Sequence, residues 1–376
     1  MKFAHIGDLH LGKILNGHSL LEDQRYILDQ ILHHLKTHRV DCLLIAGDIY
    51  DKTIPSSEAT EVLNHFLKRL NEQKINVILI SGNHDSASRL AFGSSFFKQG
   101  NVFIQTHYSN QPIVLEDEYG LIDVYAIPYM NRFDIKKALG LEETPSLKEG
   151  YHRLLEQLNL DLEKRNILVA HQFVLGVSEP GEDSSEELLI GGLEEVSSPI
   201  LEDFDYVALG HIHKPETILN LSGRIRYSGS PLAYSKAEAN HLKSMPIFEL
   251  KTKPDWELKL ISLFPQHPVK MVKTTASDVL NGIKGLEMMD YLYLELTDAY
   301  FPYAAISEIA KKYPNYLSIF PSHQNYLFQE NDEFDHLQKL KSMEIINSWH
   351  QRVSGRNLSD EQLGWIQELW NKGEKE

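Results

Sequence analysis

The sequence predicts an α/β protein: a large sheet-based unit flanked by helices, then a smaller α/β unit and a helical tail. Three observations predict it. Short apolar runs rich in Ile, Val and Leu alternate with segments of helical period. Polar residues capable of chemistry gather immediately after each run, on one side of the implied sheet. The pattern then resets at Pro265-Gln266-His267-Pro268. A hydrophobic content of 42% and a charged content of 24% suit an ordinary globular chain. No apolar run approaches the roughly 18 residues of a membrane-spanning helix.

Residues 2–6 read as the first strand, with Gly7-Asp8-Leu9-His10-Leu11-Gly12-Lys13 as the loop after it. Leu21, Ile27, Leu28, Ile31, Leu32 and Leu35 stand at helical spacing and place a helix over 20–38. The second strand, 42–46, ends in Gly47-Asp48-Ile49-Tyr50-Asp51. Pro55, Ser56 and Ser57 open a helix that runs to about residue 71. Val77-Ile78-Leu79-Ile80 is a buried strand, and Ser81-Gly82-Asn83-His84-Asp85 follows it. Short strands are expected at 102–104, 113–115 and 121–127, and a helix at 147–158. Residues 167–170 form a buried strand that ends in His171, and 205–209 another that ends in Gly210-His211-Ile212-His213. Between them lies an acidic, Gly-containing loop, 178–195. A hairpin over 245–263 closes the first unit, 1–265.

The second unit, 266–325, carries strands at 269–274, 291–296 and 316–320, with helices at 276–286 and 304–313. The tail, 326–376, reads as two helices. In the last, Ser359 and Gln362 suit a capping box, and Leu363, Ile366, Leu369 and Trp370 make an apolar stripe. Such a stripe packs on its own domain in most proteins, but Trp365 and Trp370 also suit a partner-docking face.

The single cysteine, Cys42, falls inside a strand and is expected to be a buried small hydrophobe. It can take no part in an intrachain disulfide, and the N-terminus reads as strand rather than signal peptide, so a cytoplasmic location is expected. The formal net charge is -16, which repels phosphate backbones at long range. By itself that charge favours a small-molecule enzyme. A DNA-acting chain of this charge needs bound cations and a basic partner.

Asp8, His10, Asp48, Asn83, His171, His211 and His213 all stand at strand ends. Each alone has an ordinary structural explanation. Asp8-Leu9-His10 is a common loop pair, His171 suits a hydrogen-bonded core histidine, and Gly-His-Ile-His suits a turn. Five such loops on one side of a sheet are what coincidence explains poorly. Carboxylate, imidazole and one amide oxygen suit Mn, Fe or Zn, and seven donors can hold two ions if one carboxylate bridges. No cysteine takes part, which excludes a structural zinc knot. His5 is expected in the core, and His33, His34 and His65 in solvent.

The order Asp-x-His, Gly-Asp-x-x-Asp, Gly-Asn-His-Asp, a single His and Gly-His-x-His resembles that of the calcineurin-like metallophosphoesterases. The segments Ile6 to Lys13, Ser81 to Ser86, Tyr206 to Pro215 and Tyr227 to Leu232 look like the DNA-nuclease branch of that family. The resemblance covers about residues 1–265. It implies a metallophosphoesterase β-sandwich flanked by helices, with a small α/β capping domain that positions DNA. By it, Asp8, His10 and His213 hold one metal, Asn83, His171 and His211 the other, and Asp48 bridges. The metals, Mn by resemblance, bind the scissile phosphate and activate water, while His84 donates to the phosphate or leaving oxygen. Asp51 lies where related phosphatases keep an acid that orients this histidine. Asp85 either fixes its loop through backbone hydrogen bonds or supports a histidine ligand.

The resemblance further implies an exonuclease on double-strand ends and an endonuclease on hairpins. It would act as a homodimer within a heterotetramer, with a separate ATPase that docks on the tail. No Gly-x-x-x-x-Gly-Lys-Ser/Thr motif occurs, so ATP hydrolysis is expected in the partner. The alternative is a metallophosphatase or cyclic-nucleotide phosphodiesterase. A third possibility, a non-catalytic scaffold, sits badly with a complete ligand set and an intact His84.

Overall fold

The computed structural model describes residues 1–174, 201–217, 223–253, 255–298, 303–322, 350, 356–359 and 361–366. The acidic loop at 178–195 and most of the tail, including Leu369 and Trp370, lie outside the described residues. The chain divides into two compact units, Met1–Met271 and Val272–Glu376.

In chain order the first unit begins with β1 (Lys2–Ile6), β2 (Ile14–Leu15), β3 (His18–Ser19), α1 (Leu21–His38), β4 (Cys42–Ala46) and α2 (Ser57–Glu72). Then come β5 (Asn76–Ile80), α3 (Ala87–Leu90), α4 (Ser94–Phe97), β6 (Val102–Gln105), β7 (Ile113–Asp117) and β8 (Gly120–Ile127). They are followed by α5 (Arg132–Leu139), α6 (Leu147–Glu156), β9 (Arg165–His171) and β10 (Tyr206–Gly210). Last are β11 (Glu216–Thr217), β12 (Ile225–Tyr227), β13 (Ser244–Leu250) and β14 (Trp256–Ser262).

These strands form two six-stranded sheets, β14-β13-β1-β4-β5-β6 and β11-β12-β10-β9-β8-β7. Alternation along each strand decides which face each residue buries. Cys42, Leu44 and Ala46 of β4 share one core with Val124 and Ala126 of β8, Ile167 and Val169 of β9, and Tyr206 and Ala208 of β10. That core fills the space between the sheets, so the unit is a sandwich. Residues of the opposite parity are also buried. Leu168, Ala170, Val207 and Leu209 pack with Ile135 of α5 and Tyr151 and Leu154 of α6. Strands covered on both faces explain the unbroken apolar runs of the sequence.

Register sets the ends of the strands level. Parallel pairing matches Ile6 with Ile45, Ala46 with Ile80, and His171 with Gly210. The loops after β1, β4, β5, β9 and β10 therefore leave from carboxyl ends, where such sheets place their ligands.

A three-stranded sheet follows, β15 (Val269–Thr274), which spans the boundary, with β16 (Tyr291–Leu296) and β17 (Tyr316–Pro321) of the second unit, where α7 (Ala276–Asn281) and α8 (Tyr303–Lys312) also lie. That unit's core joins Ala276 and Val279 to Leu292, Leu294 and Ile309. The expected helix at 276–286 ends early, at Asn281, because Gly282 takes φ 98 and ψ 127, outside the helical region. In the tail, Ser359 N–H donates to Gln362 Oε1 at 2.9 Å and Gln362 N–H to Ser359 Oγ at 3.3 Å, the reciprocal pair expected there.

Candidate metal centre

The loops that follow β1 and β4 run side by side. Asp8 N–H donates to Gly47 O at 3.0 Å, His10 N–H to Asp48 O at 3.0 Å, and Leu11 N–H to Ile49 O at 2.9 Å. Holding them together requires unusual backbone. Asp8, His10, Asp48 and His211 have φ of 52, 42, 49 and 102 degrees, although none is glycine. Strain of this kind persists where the surroundings over-determine it, and it concentrates at functional sites. Cross-links tie the other loops in. Asp8 Oδ1 accepts from His211 N–H at 3.0 Å, and Asp48 Oδ1 from His84 N–H at 2.9 Å. The Asp85 carboxylate serves its own loop: it accepts from the N–H groups of Gly82, Ile49 and Tyr50 at 2.9, 3.0 and 2.9 Å. It clasps the Asp48 loop to the Asn83 loop.

Seven side chains from five loops meet here. On one side, His10 Nε2 and His213 Nε2 stand 3.1 Å apart, with an Asp8 carboxylate oxygen within 4.8 Å of both imidazoles. On the other, Asn83 Oδ1 lies 2.9 Å from His171 Nε2 and 3.2 Å from His211 Nδ1. Asp48 Oδ2 lies between the two groups, 3.6 Å from His10 Nε2 and 3.5 Å from His171 Nε2. A carboxylate in this place is within reach of both groups.

The donor set fits divalent cations. Asp8 Oδ2 is buried and accepts no hydrogen bond. His171 Nδ1–H donates to Ala46 O at 2.7 Å, which leaves Nε2 able to coordinate. The electrostatics agree. Burial raises the Asp8 carboxyl, whereas Asp48 is held well below the carboxylate range because its histidine neighbours outweigh its own burial. Burial depresses His10, and burial with the neighbouring His171 takes His211 down to about 3. Burial alone would lower His171, but Asp48 and Asp8 raise it to about 9. Oxygen and nitrogen donors without sulfur suit Mn, Fe or Zn.

His84 lies beside this cluster, its ring edge-on to His10 with centroids 4.7 Å apart. Its Nδ1–H donates to the main-chain carbonyl of Asp51 at 3.0 Å. Here the structure departs from expectation. The Asp51 carboxylate turns away, to Lys13 Nζ at 2.9 Å and His10 Nδ1 at 3.7 Å, so the group that orients His84 is the peptide.

Several supports had no sequence signal. Gln24 Nε2 donates to Leu9 O and His10 O, and Gly12 N–H donates to Gln24 Oε1. Tyr234 Oη donates to Leu9 O at 2.6 Å. Glu238, 25 residues beyond His213, accepts from its Nδ1. The expectations for His5, Cys42, His33 and His65 agree with the structure, whereas His34 is less exposed than expected. His5 is buried, with Nε2–H donating to Leu209 O at 3.1 Å, and Cys42 is buried and free. His33 and His65 are exposed and His34 half-buried.

The model of the calcineurin-like phosphoesterase family matches residues 1–215, more than half of the chain. A curated relative, the SbcD chain of the SbcCD nuclease of Staphylococcus epidermidis, is 32% identical over 377 residues and covers 98% of both chains. Among solved structures, a dimetal phosphatase from Danio rerio aligns with TM-score 0.40 and 14% identity, covering 70% of this chain and 96% of its own. TT1561 of Thermus thermophilus aligns with TM-score 0.38 and 12% identity, covering 69% of this chain and 98% of its own. Overlaps that loose carry no weight beside the full-length match.

Proposed function

The chain belongs to the calcineurin-like phosphoesterase family, and from that footing we propose that it is a metal-dependent DNA nuclease, the nuclease component of an SbcCD-type complex. The carrying observation is Asp48 Oδ2 between His10 and His171, with His84 alongside. The nuclease reading is favoured over the small-substrate alternative because the relative's similarity runs through both units, beyond the residues 1–215 that the family model matches.

The proposed assignment gives one ion to Asp8, His10 and His213, the other to Asn83, His171 and His211, with Asp48 shared. Two divalent ions, Mn2+ in this proposal, would neutralise charge on the scissile phosphate and lower the pKa of water. The chain's own residues do the rest. His171 keeps its proton on Nδ1, against Ala46 O, so that Nε2 faces the centre. His84, held at Nδ1 by the Asp51 carbonyl, in its cationic form donates from Nε2 to a phosphate oxygen or passes a proton to the departing oxygen. Asp85 keeps the Asp48 and Asn83 loops in register.

The substrates proposed are double-strand ends, cut exonucleolytically, and hairpins, cut endonucleolytically. Residues 1–265 form the nuclease unit, 266–325 cap the site and position DNA, and 326–376 dock an SbcC-like ATPase in the cytoplasm. Two copies pair within a heterotetramer; Phe92 and Phe96, 85% and 76% exposed, offer apolar surface for that pairing. The charge of -16 favours a smaller anionic substrate, and so a metallophosphatase or cyclic-nucleotide phosphodiesterase is the second reading. The test sets hairpin DNA beside a phosphomonoester and a cyclic nucleotide, with Mn2+, with and without the ATPase. Cleavage of the hairpin that chelator abolishes supports the nuclease. Turnover of the small esters with intact DNA under every condition supports the alternative.

A further inference from the structure

We infer that Glu238 is a positioning residue for the metal centre, clamping His213 from behind so that Nε2 faces the site; this rests on the metal-binding reading of the seven side chains. Glu238 lies beyond the part of the chain that the family model covers. Its carboxylate is fully engaged. Oε1 accepts from His213 Nδ1 at 3.0 Å and Ser235 Oγ at 3.1 Å, and Oε2 from Ser230 Oγ at 3.0 Å and Lys243 Nζ at 2.7 Å. Glu238 and Lys243 are 3% and 6% exposed.

A carboxylate only accepts, so His213 carries its proton on Nδ1 and presents the Nε2 lone pair toward His10 Nε2, 3.1 Å away. The main chain is held by the same cluster. His213 O accepts from Lys243 Nζ and from Ser230 N–H, both at 3.0 Å. Ligand side chain and ligand backbone are thus gripped by one buried ion pair. A buried pair kept for stability alone is replaceable by apolar residues at little cost. One that sets a ligand's tautomer and basicity is not.

The experiment titrates the full-length chain with MnCl2 by calorimetry, comparing wild type with E238Q/K243M, which leaves no buried charge unpaired. Wild type is expected to bind two ions. The variant is expected to bind one of them about 10–100-fold more weakly, with the other unchanged and the metal-free unfolding temperature preserved. Equal affinity at both sites in the variant overturns the inference. A second measurement needs no variant of Glu238. In metal-free wild type, long-range 15N–1H spectra of labelled histidine, assigned with H213A, should show His213 protonated at Nδ1, and protonation at Nε2 alone overturns the inference. Wild type that takes up no Mn2+ sinks the metal reading itself, and the Glu238 role with it.

Discussion

At the scale of single residues, the centre separates groups that would hold metal from the one that would act on substrate. His84 has its Nδ1 committed to Asp51 O, and its backbone N–H donates to Asp48. Replacing it with Gln should lower turnover by about 10²–10⁴-fold. Metal stoichiometry by calorimetry should stay at the wild-type value, and loss of metal instead would make His84 a ligand. Asp51 should behave differently, since the carbonyl that holds His84 survives D51N. Turnover and its pH profile are expected within a few-fold of wild type, and collapse would restore a role for the carboxylate. Proton and metal compete for His171. Burial alone would favour its neutral form, but Asp48 and Asp8 keep the proton on up to about pH 9 in the metal-free chain. Binding near pH 7.5 must therefore release a proton, and apparent Mn2+ affinity should rise roughly tenfold per pH unit until pH approaches that value. Titration in buffers of different ionisation enthalpy reads the released proton directly, and affinity that falls as pH rises would contradict the assignment.

At the scale of elements, glycines set how closely the loops approach. A Cβ on Gly210 would collide with the Ala46 carbonyl oxygen and crowd His171 Nδ1, the two atoms whose hydrogen bond sets the His171 tautomer. G210A should cost at least about 2 kcal/mol in denaturant unfolding and weaken the ion held by His171, whereas wild-type stability would mean the loops part easily. The strands were legible because they are covered on both faces, so apolar runs such as 42–46 and 77–80 stand out. The helix α5 was not. It carries one buried residue, Ile135, and no clear stripe. Its ends could have revealed it, since Asn131 and Asp134 form a capping box and Gly140 closes it in the left-handed region. The short α3 and α4 had only four residues each in which to declare a period.

At the scale of the whole molecule, the proposed docking of 326–376 on the ATPase is open to a direct test. Deleting residues 332–376 should abolish copurification with the ATPase while sparing Mn2+-dependent cleavage of a small phosphodiester. Retained copurification would move the docking surface elsewhere. The acidic balance adds that the isolated chain should bind DNA weakly. The residue types and order of the seven candidate ligands, and their place at strand ends, were set locally by apolar runs and the polar loops that close them. That Asp8, Asp48 and Asn83 leave one sheet while His171, His211 and His213 leave another is a fact of three-dimensional packing. So is the arrival of Glu238 behind His213, and the choice of the Asp51 carbonyl over its carboxylate. Periodicity reports which face a side chain buries. Which distant atom it meets depends on sheet pairing and on loops whose bent backbone leaves no periodic trace.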